Sequence, residues 1–180
     1  MKIRDYFLLS LLLCLAACGP HARITVEEST RVSERFAAGG TLWVGSRSAA
    51  VLMSPEYARI APLFEQALTG AGFEVVSEQA LAETRAYIWF GKRSERREQF
   101  SNVTDNISIT TEYTWGLSLE ITSWIVTPPE EIYFSAVETA VWCQSISGVV
   151  DELAEVVVRD FPRDKGGSAS IQVTLGPGGC

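Results

Sequence analysis

From Ile107 to Ile125 apolar and polar residues alternate for nineteen positions. The odd positions carry Ile107, Ile109, Thr111, Tyr113, Trp115, Leu117, Leu119, Ile121, Ser123 and Ile125, and the even ones through Thr122 carry Ser108, Thr110, Glu112, Thr114, Gly116, Ser118, Glu120 and Thr122. Only an extended strand sends successive side chains to opposite sides, so this run predicts one face that packs and one that is wet. A strand of that kind belongs to an antiparallel sheet with helices on one side. Pro128-Pro129 then turns the chain, and Ile132 to Trp142 returns as the hairpin partner. Gly116, in the middle of the run, is expected to mark a bulge or a bend.

The remaining elements follow from local signals. Ile24 to Ala38 mixes an edge strand with polar residues, and Thr41 to Gly45 is the first firm strand, being β-branched and aromatic after a glycine pair. Ser54 is placed to cap a helix, with Pro55 at its first position and Glu56 against the positive end of its dipole. Tyr57, Ile60, Ala61, Phe64, Leu68 and Ala71 recur at helical spacing, and Gly70 and Gly72 provide the stop. Phe73 to Val76 reads as a short strand, Glu78 to Arg85 as a connecting helical turn, and Ala86 to Phe90 as a central strand, apolar on both faces. Val150, Leu153, Val157 and Phe161 give the inner stripe of a last helix over Val149 to Phe161, ended by Pro162, and Ser168 to Leu175 adds a final edge strand. The expected fold is α+β: a mostly antiparallel sheet of about five strands, two main helices packed on one face, in β-α-β-β-β-α order.

The N-terminus reads as a targeting segment. Lys2 and Arg4 precede an apolar run from Tyr6 to Leu15, followed by Ala16 and Ala17. Ten residues are too few for a permanent span, which takes roughly 20. Leu15-Ala16-Ala17-Cys18-Gly19 resembles the lipobox of bacterial lipoproteins, in which the cysteine becomes the lipidated N-terminus; ordinary cleavage just after Cys18 is the alternative. The resemblance implies a signal peptide over 1–17, a lipidated tether over 18–23, a periplasmic α+β domain over 24–165 and a Gly-rich tail over 166–180. It also implies an acyl group such as palmitate on Cys18. Gly19, where an Asp marks inner-membrane retention in enterobacteria, favours the outer membrane facing the periplasm.

Composition narrows the chemistry. Loss of Lys2, Arg4 and Asp5 takes the formal charge from −7 to −8, and an acidic chain lacks the basic face that nucleic acid requires. The one histidine, His21, lies in the tether beside the anchor. That removes Cys-His and Ser-His nucleophile pairs and the imidazole ligands of most catalytic metal sites. Phosphate-binding glycine motifs are absent, and Glu27-Glu28 and Glu130-Glu131 sit in polar segments that read as solvated surface. No catalytic residue, cofactor or metal is therefore expected.

Cys14 leaves with the signal and Cys18 takes the lipid, so Cys143 and Cys180 remain for an oxidising compartment. Either they pair and staple the tail to a strand near Trp142, or Cys143 is a small buried hydrophobe and Cys180 is free or joins another chain. For contact with a partner or with anionic lipid the candidates are Lys92, Arg93, Arg96 and Arg97, which concentrate positive charge after the central strand, and Trp124, which leaves the odd-position pattern. A solvated loop neutralised by Glu95 and Glu98, and a covered tryptophan, are the structural alternatives. The other tryptophans are expected mainly in the core.

The order of these features resembles a family of bacterial envelope lipoproteins called domain of unknown function 4136. The resemblance runs through Ile24, Val26, Phe36, Thr41 and Trp43, the helix ending in Gly72-Phe73, and the strand Ala86 to Phe90. It continues through Gly116-Leu117-Ser118-Leu119-Glu120-Ile121, Val141-Trp142, and the helix ending in Phe161-Pro162. Thr127-Pro128-Pro129-Glu130 replaces the Asp and Lys usual in the hairpin turn, and the tail is longer. What the resemblance implies is a periplasmic domain without known enzymatic activity. Two functions are compatible with these grounds: an anchored, non-catalytic accessory or docking component that meets an envelope protein partner, and, as the alternative, a carrier of a small or lipidic ligand between sheet and helices.

Overall fold

The computed structural model describes residues 23–101, 107–163 and 166–175. Cys18, His21, Lys165 and Cys180 lie outside them. Seven strands form one sheet: β1 (Arg23–Val32), β2 (Thr41–Gly45), β3 (Glu74–Val76), β4 (Thr84–Ser101), β5 (Ile107–Ser123), β6 (Glu130–Val141) and β7 (Gly167–Thr174). Their order across the sheet is β3-β2-β4-β5-β6-β1-β7. Among the described residues three α-helices join them: the single turn α1 (Ala49–Leu52), α2 (Pro55–Gly70) and α3 (Val150–Arg159).

This corrects the expected five-stranded, mostly antiparallel sheet. β2 runs parallel to both β3 and β4, so the sheet is mixed. The reason lies in the connections. A strand followed by a helix of this length returns in the same direction, whereas only short turns reverse it, and α2 separates β2 from β3. The first strand is no edge: β1 is inserted between β6 and β7. Its inward positions are Ile24, Val26, Glu28 and Thr30, and two polar residues on the buried side obscured the alternation. The segment Lys92–Glu98, read as a loop after a short strand, continues β4 as far as Ser101.

The helix α2 forms where its cap and stripe placed it, and α3 where its stripe did; the single turn α1 was not expected. Ser54 Oγ accepts from the Tyr57 N–H, Pro55 opens α2, and Ile60, Ala61, Phe64 and Leu68 are its buried face. The chain then turns through Gly72 at φ +107°, a left-handed conformation that glycine adopts without Cβ strain. α2 and α3 pack on each other and against the sheet. Between them lie Phe64, Ile60, Leu68, Leu117, Ile121, Val137 and Leu153, each 0% exposed. The layer between sheet and helices is thus filled with side chains.

β4 and β5 outrun their neighbours. The last pair between β5 and β6 is Tyr113 with Val141, yet β4 and β5 remain paired as far as Ser101 with Ile107. A two-stranded ribbon therefore projects from one end of the sheet. A register shift between Lys92 and Ser94 places a bulge at its base, on the strand opposite Gly116 rather than at Gly116 itself.

Candidate interaction surface

The face of the sheet away from the helices is built from residues that alternate with the core. Arg85, Tyr87 and Trp89 alternate with buried Ala86, Ile88 and Phe90 along β4, and Glu120 and Ser118 stand opposite them on β5. Expected to be wet, this face is instead covered by its own side chains. The Arg93 guanidinium lies 4.1 Å over the Trp89 ring, Arg47 4.3 Å over Tyr87, and Arg31 4.1 Å over Phe134. Each guanidinium also meets a carboxylate: Arg93 with Glu138 at 3.2 Å, Arg47 with Glu120 at 2.6 Å, and Arg31 with Glu131 at 3.1 Å. Stacking and charge pairing use different parts of the planar group, so one arginine serves both.

Glycines make the room. A Cβ on Gly45 would sit 1.9 Å from the Trp43 ring, which lies flat across that position and edge-on to Tyr87. At Gly116, which faces Gly91, a Cβ would lie 2.9 Å from the Arg93 side chain. Gly116 is therefore a seat for an arginine.

The basic segment is largely neutralised by its neighbours. Lys92 and Arg97 both reach Glu95, at 2.9 Å each, and Arg96 pairs with Glu98 at 2.9 Å. Hydrogen bonds from Lys92 and Arg97 hold the Glu95 carboxyl below its usual range. Of the five candidates for surface contact, the four cations thus stand together on β4 and share three carboxylates, Glu95, Glu98 and Glu138. Trp124 stands elsewhere, just past the other end of β5, with Arg85 3.6 Å over its ring. Among the described residues Arg85 lies over it, and 42% of the tryptophan stays exposed. Ile125 and Val126 follow it to the surface.

Sequence reasoning missed Trp142. It was placed with the core tryptophans, yet it is 71% exposed. Counting the alternation from buried Val137 and Val141 would have sent it outward. Its backbone is firmly held, because the next residue, Cys143, is buried and disulfide-bonded and its carbonyl accepts from the Trp115 indole at 2.9 Å. The proposed partner, Cys180, lies outside the described residues. Trp142 borders an open groove of about 780 Å³ that also touches Arg23, Ile24, Val141 and Leu175.

A second feature escaped prediction. Glu28, read as solvated surface, is turned inward with its side chain 1% exposed and meets Arg163 at 2.7 Å; Arg163 also bridges to Asp160 at 3.1 Å. Among the described residues the other Glu28 oxygen has no hydrogen-bond partner. Close by, burial pushes the Tyr133 phenol up to about 12, with Glu28 adding to the rise and Arg163 opposing it. Its position between β1, β6 and the end of α3 makes this cluster part of the packing.

Among the described residues no group of three or more His, Cys, Asp or Glu side chains is arranged to hold a metal ion. No described helix is long and apolar enough to cross a membrane.

A scan against protein-family models and a search of curated proteins returned no match. Among solved structures the chain is similar to a PDZ domain protein from Parabacteroides distasonis, at 12% identity and a TM-score of 0.50, over 92% of this chain and 42% of that one. The chain thus spans less than half the length of that protein, and the likeness is one of fold. A PelC dodecamer from Paraburkholderia phytofirmans aligns at 15% identity and a TM-score of 0.41, over 73% of this chain and 94% of that one.

Proposed function

We propose that the protein is a bacterial lipoprotein, cleaved before Cys18 and acylated there, that acts without catalysis of its own as an accessory or docking component of the cell envelope. The observation that carries this reading is the run Leu15-Ala16-Ala17-Cys18-Gly19 behind a short apolar segment, followed so closely by the fold that β1 opens at Arg23. A diacylated cysteine is a stable anchor, since each buried CH₂ contributes about 0.8 kcal/mol and two chains suffice. The residues that resemble the envelope-lipoprotein family support the same assignment, and Gly19 supports the outer membrane.

Docking finds its support at the end of the sheet opposite Arg23. Trp124, Ile125 and Val126 are exposed there in succession, at 42%, 71% and 38%. The Trp124 N–H is tied to the Glu83 carbonyl at 2.8 Å, so the apolar group is held outward on a fixed backbone. Exposed apolar clusters of this kind mark contact surfaces. They would face away from the membrane that holds Cys18.

Two experiments test the reading. Cys18→Ser should abolish labelling by radioactive palmitate and release the protein from the membrane fraction; unchanged fractionation would refute the anchor. A photo-crosslinking residue at Ile125 in whole cells should trap one heterologous partner. Recovery of monomer alone there and across the sheet face would refute docking.

A further inference from the structure

We infer that the β4–β5 ribbon and Trp142 rest on the bilayer, so that the anchored domain touches the membrane through a second, protein-borne contact. The inference depends on the anchoring at Cys18 proposed above, and it follows from two lengths and one orientation.

The orientation comes from strand register. Val26 of β1 lies opposite Thr139 of β6, and continuing that antiparallel register brings Arg23 level with Trp142. Tyr113 of β5 lies opposite Val141, so Glu112 is on the same level. The chain therefore enters the fold at the end of the sheet from which the ribbon projects, and the groove that touches Arg23, Glu112 and Trp142 spans that level. Trp124 follows the opposite end of β5, some twelve residues or about 40 Å away along the strand.

The first length is the tether. Five peptide steps separate Cys18 from Arg23, and at no more than about 3.6 Å per residue they reach at most about 18 Å. The second is the ribbon, which continues five residues from the level of Glu112 to Ile107, or about 17 Å at the rise of an antiparallel strand. A fully stretched tether therefore exceeds the span of the ribbon by only about 1 Å. With Cys18 acylated and its tether short of full stretch, the ribbon has no room to stand upright and lies along the surface, which brings Trp142 at its base down to the headgroups.

What the domain presents there fits the interfacial layer. Trp142 is 71% exposed and Ile109, on the ribbon, is 68% exposed. An indole prefers the headgroup boundary, where its ring leaves water while its N–H keeps a polar partner. The cations nearby carry little free charge, because Lys92, Arg93, Arg96 and Arg97 lie within 3.2 Å of three carboxylates, Glu95 serving two of them, which leaves one positive charge. The occupant is thus a zwitterionic headgroup layer, contacted by apolar side chains.

The test is fluorescence quenching of the full lipidated protein in phosphatidylcholine vesicles whose acyl chains carry bromine, which quenches tryptophan only at short range. Quenching is expected in the wild type, should be mostly lost in Trp142→Phe, and should be unchanged in Trp124→Phe. A flexible insertion of ten Gly and Ser residues between Ala22 and Arg23 should also weaken it, by letting the domain rise. Equal quenching in wild type and Trp142→Phe, or loss only in Trp124→Phe, would overturn the inference. So would quenching that appears only when anionic phosphatidylglycerol is added. Mass analysis of the N-terminal peptide from the same preparation separates the two proposals. An acylated Cys18 with unquenched Trp142 defeats this inference alone, whereas an unacylated Cys18 defeats the anchoring and this contact with it.

Discussion

Replacing Arg163 by Met should cost the protein about 3 kcal/mol. Arg163 is the ion-pair partner of Glu28, whose side chain is 1% exposed, and is itself 22% exposed. Removing one member of a buried pair leaves the other charge without compensation, which costs roughly 3–5 kcal/mol for a fully enclosed pair. The partial exposure of Arg163 puts the expected loss at the lower end of that range. Glu28→Gln removes the charge while keeping the shape, and it leaves Arg163 with Asp160, 3.1 Å away. Its cost should be nearer 1 kcal/mol, that of one net hydrogen bond. The double variant should regain most of what Arg163→Met loses, because the stranded carboxylate is gone. Urea unfolding followed by tryptophan fluorescence reads all three. With a slope of about 2 kcal/mol per molar urea, Arg163→Met should move the midpoint down by roughly 1.5 M. Two outcomes would refute the reasoning: an Arg163→Met midpoint within error of wild type, or a double variant whose loss equals the sum of the two single ones, which would mean that the groups do not interact.

Phe64→Ala empties a site that is 0% exposed in the layer between α2 and the sheet, and should lose about 3–5 kcal/mol in the same urea assay. Gly45→Ala should destabilise by about 1–3 kcal/mol, because its Cβ would enter the Trp43 ring. Gly116→Ala should cost less, since only the flexible Arg93 side chain has to move. The Tyr133 phenol, raised from 10.0 to about 12, keeps its proton in the native state while the unfolded chain releases it. Stability is therefore intact below about pH 10 and falls as the pH climbs toward 12, by at most about 1.4 kcal/mol per unit. Tyr133→Phe should flatten that fall in alkaline unfolding curves. Peptide mapping without reductant should recover Cys143 joined to Cys180; a free Cys180, or Cys143 linked to a different cysteine, would exclude that pairing.

The sequence by itself determined the elements whose signals are local. The Ser54 cap, the Pro55 start, the stripe from Ile60 to Leu68 and the glycine stop describe α2 because capping and helical periodicity depend on neighbours in the chain. The alternation from Trp115 to Ile121 named the packed face of β5 for the same reason, and the Cys18 reading rests on contiguous residues. Tertiary structure decided the rest. Whether β1 was an edge or an interior strand depended on β7 returning beside it, and no local pattern encodes a pairing between Arg23 and Thr174. The inward turn of Glu28 depended on Arg163, 135 residues away. Alternation named two faces of β5 but could not say that arginines from β4 and the β2–α1 connection would fold down over the second. The exposure of Ile109 arose because β4 and β5 run on past β6, so an apolar residue in perfect register had nothing left to pack against. Periodicity states which way a side chain points; only the assembled sheet supplies what, if anything, stands there to meet it.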